Sequence, residues 1–229
     1  MKRSRRWMIG LPLLGLASLI LMLSVRWGMA SLQLQAAARN GAALSVPGEL
    51  GAAQRELLDR ALAQLDRAES LRGPHPEQSN LRARLLEWEL ASVILAPEAR
   101  LARQGEILSL YRDAIRQRPS WPHFWANLAF AHARMGRFGE EFQHALERTV
   151  SLGPWERTLQ LQLARLDFMY SARLDAGSRA HLDGVLERAA RVQPGRLWSL
   201  AAAPNERARV CEVLDQPYDA ACAPYRPQG

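Results

Sequence analysis

Lysine is almost missing from this chain. Lys2 is the single lysine among 30 basic side chains, and the rest are arginine. GC-rich codon usage produces that imbalance, so it carries no argument about guanidinium chemistry. Cysteine is nearly as scarce, with two in 229 residues, too few for a disulfide-built scaffold or a cysteine-rich zinc site. No acidic residue occurs in the first 30 positions. No stretch alternates apolar and polar residues as a half-buried strand does, which leaves helix as the only regular element. The chain holds no HExxH, no glycine-rich phosphate loop, no Gly-x-Ser-x-Gly elbow and no dinucleotide fingerprint. These absences remove the commonest signatures of metal, nucleotide and nucleophilic catalysis. No catalytic residue, metal ligand or cofactor is expected.

Nearly half the residues are apolar, enough to bury a core and to exclude global disorder. The net charge of +7 would suggest nucleic acid if it lay on a folded face. It does not: Lys2, Arg3, Arg5, Arg6 and Arg26 supply +5 of it before residue 31. That leaves 25 basic against 23 acidic side chains beyond, a net of +2, and a nucleic-acid partner is not expected.

The segment Trp7 to Val25 runs 19 residues without a charge. As a helix rising ~1.5 Å per residue it spans about 28 Å, close to the hydrocarbon thickness of a bilayer. Pro12 lies in its first half, and Trp7 and Trp27 flank it, where indoles favour the interface. Four cationic side chains precede it and only Arg26 follows closely. By the positive-inside rule the N-terminus stays in the cytoplasm and the rest faces the periplasm, as in a single-pass protein of a bacterial-type inner membrane. The rival is a cleaved signal peptide ending at Gly28-Met29-Ala30. The length of the apolar stretch and the position of Arg26 favour the uncleaved anchor. The organisation expected is an anchor over 1–30, a linker over 31–48 (a helical extension, then a break at Gly41, Pro47 and Gly48), a helical domain over 49–195 and a tail over 196–229.

From Glu49 onward Leu, Ala, Arg, Glu and Gln dominate, a helical composition. Pro and Gly cluster at 73–76, 97, 119–122, 153–154, 177 and 194–195, leaving segments of helix length between them. Pro119, Pro154 and Pro194 each close a helical stretch. Eight residues before each stands a large side chain (Tyr111, Leu146, Leu186) and five before each a small one (Ala114, Thr149, Ala189). Leu65 and Ala68 before Pro74 make a looser copy. A large and a small residue three apart share a helix face, the small one admits a neighbouring helix, and the proline starts the turn into the next unit. The prolines are 35 and 40 residues apart.

Residues 122–154 place Trp125, Leu128 and Ala129 on a first helix and Gly136 and Phe138 in a turn. Phe142, Leu146 and Thr149 follow on a second helix, closed by Pro154. This pattern resembles the tetratricopeptide repeat, whose helix-turn-helix unit is ~34 residues long. It departs at His132, where Tyr is usual, at Phe142, where Ala is usual, and in a turn one residue longer. More degenerate copies lie at 79–119 and 156–194, the second with an insertion around Ser171–Ser178, so the resemblance covers about half the chain. The run RPSWPHFWANLAFAHARMGRFGEEFQHALERTVSLGPWE (118–156) is also similar to small membrane-anchored proteins of bacterial exopolysaccharide biosynthesis clusters. That resemblance implies a setting, surface polysaccharide production or export, and no chemistry. The fold class expected is all-α: one transmembrane helix followed by a short stack of antiparallel helical hairpins.

In such a stack the first helix of each unit lines the concave side. His123, Asn127, Phe130 and Arg134, spaced 4, 3 and 4, form one stripe on it. Thr158, Gln162, Arg165 and Met169 form the equivalent stripe one unit later. Their amide, cationic and apolar groups suit a protein partner, with acidic polysaccharide the alternative. Trp121 and Trp155 are expected as packing plugs between repeats, and His132 as a hydrogen-bonded core imidazole. Glu140 with Glu141, and Glu87 with Glu89, are expected to be solvated or paired with arginine rather than to work as catalytic pairs. The alternatives to recruitment are a glycan-binding regulator of a polysaccharide polymerase and, behind it, a small carbohydrate-active enzyme, since helical-barrel lyases and hydrolases usually need more hairpins than this chain supplies. Cys211 and Cys222, outside the cytoplasm, form the one natural disulfide; their spacing is not the redox-active C-x-x-C.

Overall fold

The computed structural model describes residues 2–44, 51–214 and 218–225, with side chains from Leu13 onward. Pro47 and Gly48 of the expected linker and Pro217 of the tail lie outside the described residues. All regular structure among the described residues is helical, and the all-α class is the one observed. The chain forms two compact units, residues 1–110 and 111–229.

The first unit begins with α1 (Lys2–Ala42), a single helix of 41 residues. Its stretch Leu13–Ala42 is long and apolar enough to cross a membrane. Residues 13–29 are all exposed, and Ala30 is the first buried side chain. From there α1 packs against α2 (Ala52–Arg72) and α3 (Pro76–Ser92). Ala37, Leu58, Ala61, Leu65 and Leu85 form the core, and Leu34, Leu44, Leu81 and Trp88 pack around it. Within residues 31–44, expected from sequence as a helical extension leading into a link, Ala37 is buried in this core and Leu34 and Leu44 pack half-buried around it, while Leu32 stays 63% exposed. The apolar period of Ala30, Leu34 and Ala37 continues the helix face past the charge-free run. Asn40 Nδ2 donates to Gln64 Oε1 at 2.9 Å, tying α1 to α2, and Arg82 ties α3 to α2 through Asp66 at 2.6 Å. Gly73, at φ +85°, ends α2 where an L side chain would be strained. Pro76 opens α3, and His75 Nδ1 accepts from the Glu77 backbone N–H. The unit ends within α4 (Pro97–Gln117).

The second unit holds α5 (Pro122–Arg134), α6 (Glu140–Leu152), α7 (Arg157–Tyr170), α8 (Ala176–Val192), α9 (Pro194–Leu200), α10 (Pro204–Cys211) and α11 (Asp219–Cys222). Gly136, at φ +72°, turns the chain between α5 and α6. The hairpins α5–α6 and α7–α8 stack like on like: α5 packs against α7 and α6 against α8. The recurring pairs explain how: Tyr111 with Ala114, Leu146 with Thr149 and Leu186 with Ala189 are all fully buried, as are Leu65 with Ala68 in the first unit. The turn geometry recurs as well. Trp125 Nε1 donates to the Pro119 carbonyl at 2.8 Å, and Gln160 Nε2 donates to the Pro154 carbonyl at 3.1 Å, each bond spanning six residues.

The tail is no loose appendage. Leu197, Ala201, Val210, Leu214 and Cys222 join Ala164, Leu186 and Ala189 in one core cluster. Cys211 and Cys222 are disulfide-bonded with Cα atoms 5.5 Å apart, inside the usual range for such bridges.

Candidate functional site

The candidate surface lies on α5 and α7, which open differently. Proline at the first position of α5 forgoes an N–H that no helix could use, and the Glu156 carboxylate caps α7 by accepting from the Thr158 N–H. Gly153 lies in the turn before α7. A side chain there would meet Leu159 at 2.9 Å and Pro122 at 3.1 Å, so the close approach of this turn to the start of α5 requires glycine.

The buried face of α5 carries Phe124, Leu128 and Ala131, and that of α7 carries Leu159, Leu163 and Leu166. The stripe residues lie off those faces. On α5, His123, Asn127 and Phe130 are half-buried and Arg134 is exposed. The Arg134 guanidinium stands 5.6 Å from the Phe130 ring, a cation–π contact that orders both side chains. The His123 ring lies 5.5 Å from that of Trp121. On α7, Thr158, Gln162, Arg165 and Met169 are all exposed; Met169 keeps 58% of its surface in solvent. The Thr158 hydroxyl donates to Glu156 at 3.0 Å. Packing of α5 on α7 brings the two stripes onto neighbouring helices, with the more accessible groups on α7.

Trp121 and Trp155 correct the sequence reading. They are not packing plugs: Trp121 is 39% and Trp155 60% exposed. The Gly153–Pro122 contact draws their two turns onto one edge, and the Arg118 guanidinium lies 4.6 Å from the Trp121 ring. The side chains that hold these turns are Trp125 and Gln160, which reach back to the turn carbonyls. The sequence signal was the spacing of six from each proline, shared by two residues of different type.

The titratable groups fall into structural clusters. His132 is 5% exposed, and its Nε2 lies 3.0 Å from Glu141 Oε2, at ion-pair distance but off the line of a good hydrogen bond. Arg112 donates to both Glu141 oxygens at 2.6 and 2.7 Å. Burial lowers the His132 pKa, with the Glu141 charge opposing, so the imidazole is held neutral. The Arg112 hydrogen bonds hold the Glu141 carboxyl below its usual range. Glu141 is therefore an ionised acceptor with both oxygens engaged, and Glu89 faces Arg103 at 3.4 Å. A second cluster centres on Arg209, whose guanidinium reaches Asp167 on α7 at 3.1 Å, Asp183 on α8, and Glu212 at 2.6 Å. Asp167 is 1% exposed, and burial pushes its pKa up against the pull of Arg209. Among the described residues no group of three or more His, Cys, Asp or Glu side chains is arranged to hold a metal ion.

Comparison with protein-family models, curated proteins and solved structures finds no match for this chain.

Proposed function

We propose that the chain is a single-pass inner-membrane protein whose second unit is a tetratricopeptide-like, non-catalytic module that recruits a protein partner. The setting is the one implied by the likeness of residues 118–156 to proteins of exopolysaccharide clusters. The charges of Lys2, Arg3, Arg5 and Arg6 support an orientation with the N-terminus in the cytoplasm and the helical units in the periplasm. The observation that carries the reading is the exposed row Thr158, Gln162, Arg165 and Met169 on a helix whose opposite face is buried, beside a hairpin of the same construction. A cationic fork, an amide and a thioether, held on a rigid helix, suit an extended segment that offers a carboxylate and an apolar side chain. Photocrosslinking probes at Gln162 and Arg165 in native membranes test it. One discrete protein adduct, absent with the probe at His181 on α8, is expected. Equal labelling at all three positions would remove the recruitment reading.

The exposed indoles favour one second reading, glycan binding. Aromatic faces stack on pyranose rings, and Arg118 beside Trp121 suits an acidic sugar. It requires retention on purified acidic polysaccharide that Trp121→Ala and Trp155→Ala abolish together; unchanged retention would sink it.

A further inference from the structure

We propose that the turn between α2 and α3, residues 72–76, docks on the phospholipid headgroup layer, so that the first unit stands directly on the membrane surface with no spacer. The proposal rests on the membrane-spanning reading of α1 and adds the partner of a surface outside the span.

Helix α1 is continuous, so the height of the unit above the bilayer follows from counting residues. Trp27, 57% exposed, follows the apolar run, and Ala30, 1% exposed, is already in the unit's core. Three residues of helix rise about 4.5 Å. The headgroup region on each side of a bilayer is itself ~5–8 Å thick. The unit therefore begins inside it.

Side-chain pairings give the direction of α2. Its residue Gln64 meets Asn40, and its last residue, Arg72, lies 5.8 Å from the Trp27 ring. As α1 is followed back from 40 to 27, α2 advances from 64 to 72, so α2 runs towards the membrane and delivers its C-terminal turn there. The start of α3 is at the same level, since Arg82 pairs with Asp66 and Glu69. Arg72 and Pro74 are exposed at this end, and Arg26 stands on the helix beside it. An indole and two guanidiniums are the groups that partition to the interface, the guanidinium binding lipid phosphate through its fork of donors. Glu69, the acid nearest in sequence before Arg72, faces Arg82 at 3.7 Å and so is partly neutralised. The occupant that fits this level and charge is a phosphodiester headgroup.

The test uses the full chain reconstituted in phosphatidylcholine–phosphatidylglycerol vesicles carrying nitroxide lipids. An environment-sensitive fluorophore is placed at Leu19→Cys, Pro74→Cys or Ile94→Cys without reductant, so that the bonded Cys211 and Cys222 do not react. Ile94, fully exposed beyond the far end of α3, is the control. Acyl-chain nitroxide is expected to quench the label at 19. Headgroup nitroxide is expected to quench the label at 74 several-fold more than that at 94, and Arg72→Glu to reduce the difference. Quenching at 19 with none at 74 above the level at 94 overturns the docking and leaves the span intact. No quenching at 19 overturns the spanning reading and the docking with it. A label at 74 shielded from aqueous iodide yet untouched by nitroxide lipid assigns the turn to a protein partner and also overturns the proposal.

Discussion

Arg209 is the side chain on which most depends. It neutralises Asp167, which is buried on α7, and it joins α7 and α8 to the tail. Removing one partner of a buried pair leaves a charge without compensation, at a cost of roughly 3 kcal/mol. Arg209→Met is expected to lower the denaturant midpoint by that amount, and Asp167→Asn in the same chain to recover much of it. Because burial raises the Asp167 pKa above its unfolded value, the ionised form is the costly one. The gap between Arg209→Met and the parent chain should therefore narrow as pH falls from 7.5 to 5. His132 titrates with the opposite consequence. Its folded pKa lies below the unfolded value, so the unfolded chain binds the proton more readily. The stability it contributes is present above the unfolded pKa and is lost as pH falls from there towards the folded one. The depressed Glu141 pKa acts in the same sense at lower pH. His132→Gln is expected to flatten the fall in denaturant midpoint between pH 7.5 and 5.5; an unchanged slope would assign that fall to other groups.

At the scale of elements, the large–small pairs decide how closely helices approach. Ala114 and Ala189 are fully buried and leave no room for growth. Ala114→Leu or Ala189→Leu should cost ~1–3 kcal/mol by overpacking, while Ala99→Leu, at an exposed position of α4, should be neutral; thermal unfolding of the three compares them. The disulfide closes a loop of ten intervening residues, and such a loop contributes about 2–3 kcal/mol. Cys211→Ser with Cys222→Ser is expected to speed proteolysis after Arg207 or Arg209 while leaving α5 and α6 protected, because the tail cluster rests on α7 and α8.

For the whole molecule, the helix that is long and apolar enough to cross a membrane also builds a core. A chain starting at residue 31 keeps Leu34, Ala37 and Asn40 and should fold with the parent's helicity. A chain starting at residue 49 loses them and exposes Leu58, Leu65 and Leu85. It is expected to lose cooperative unfolding of α2 and α3, which circular dichroism during a denaturant titration would show. Equal stability of the two truncations would mean that residues 31–44 are a link after all.

The sequence by itself determined the features that rest on short-range rules. The charge-free run from Trp7, the prolines and glycines that open and end helices, the buried pairs three residues apart and the single possible cysteine pair all follow from spacing along one chain. The tertiary structure alone decided which neighbours meet. It packed one face of residues 30–44 onto α2, because Ala30, Leu34 and Ala37 need a partner face that only folded α2 supplies. It left Trp121 and Trp155 in solvent, because Trp125 and Gln160 already hold the turns. It brought His132 and Arg112, residues separated along the chain, to the one carboxylate of Glu141, and drew the tail into the second unit through Arg209. Local sequence carries helix periodicity and breakers, whereas burial of a given face depends on side chains tens of residues away, and their approach is set only when the helices pack.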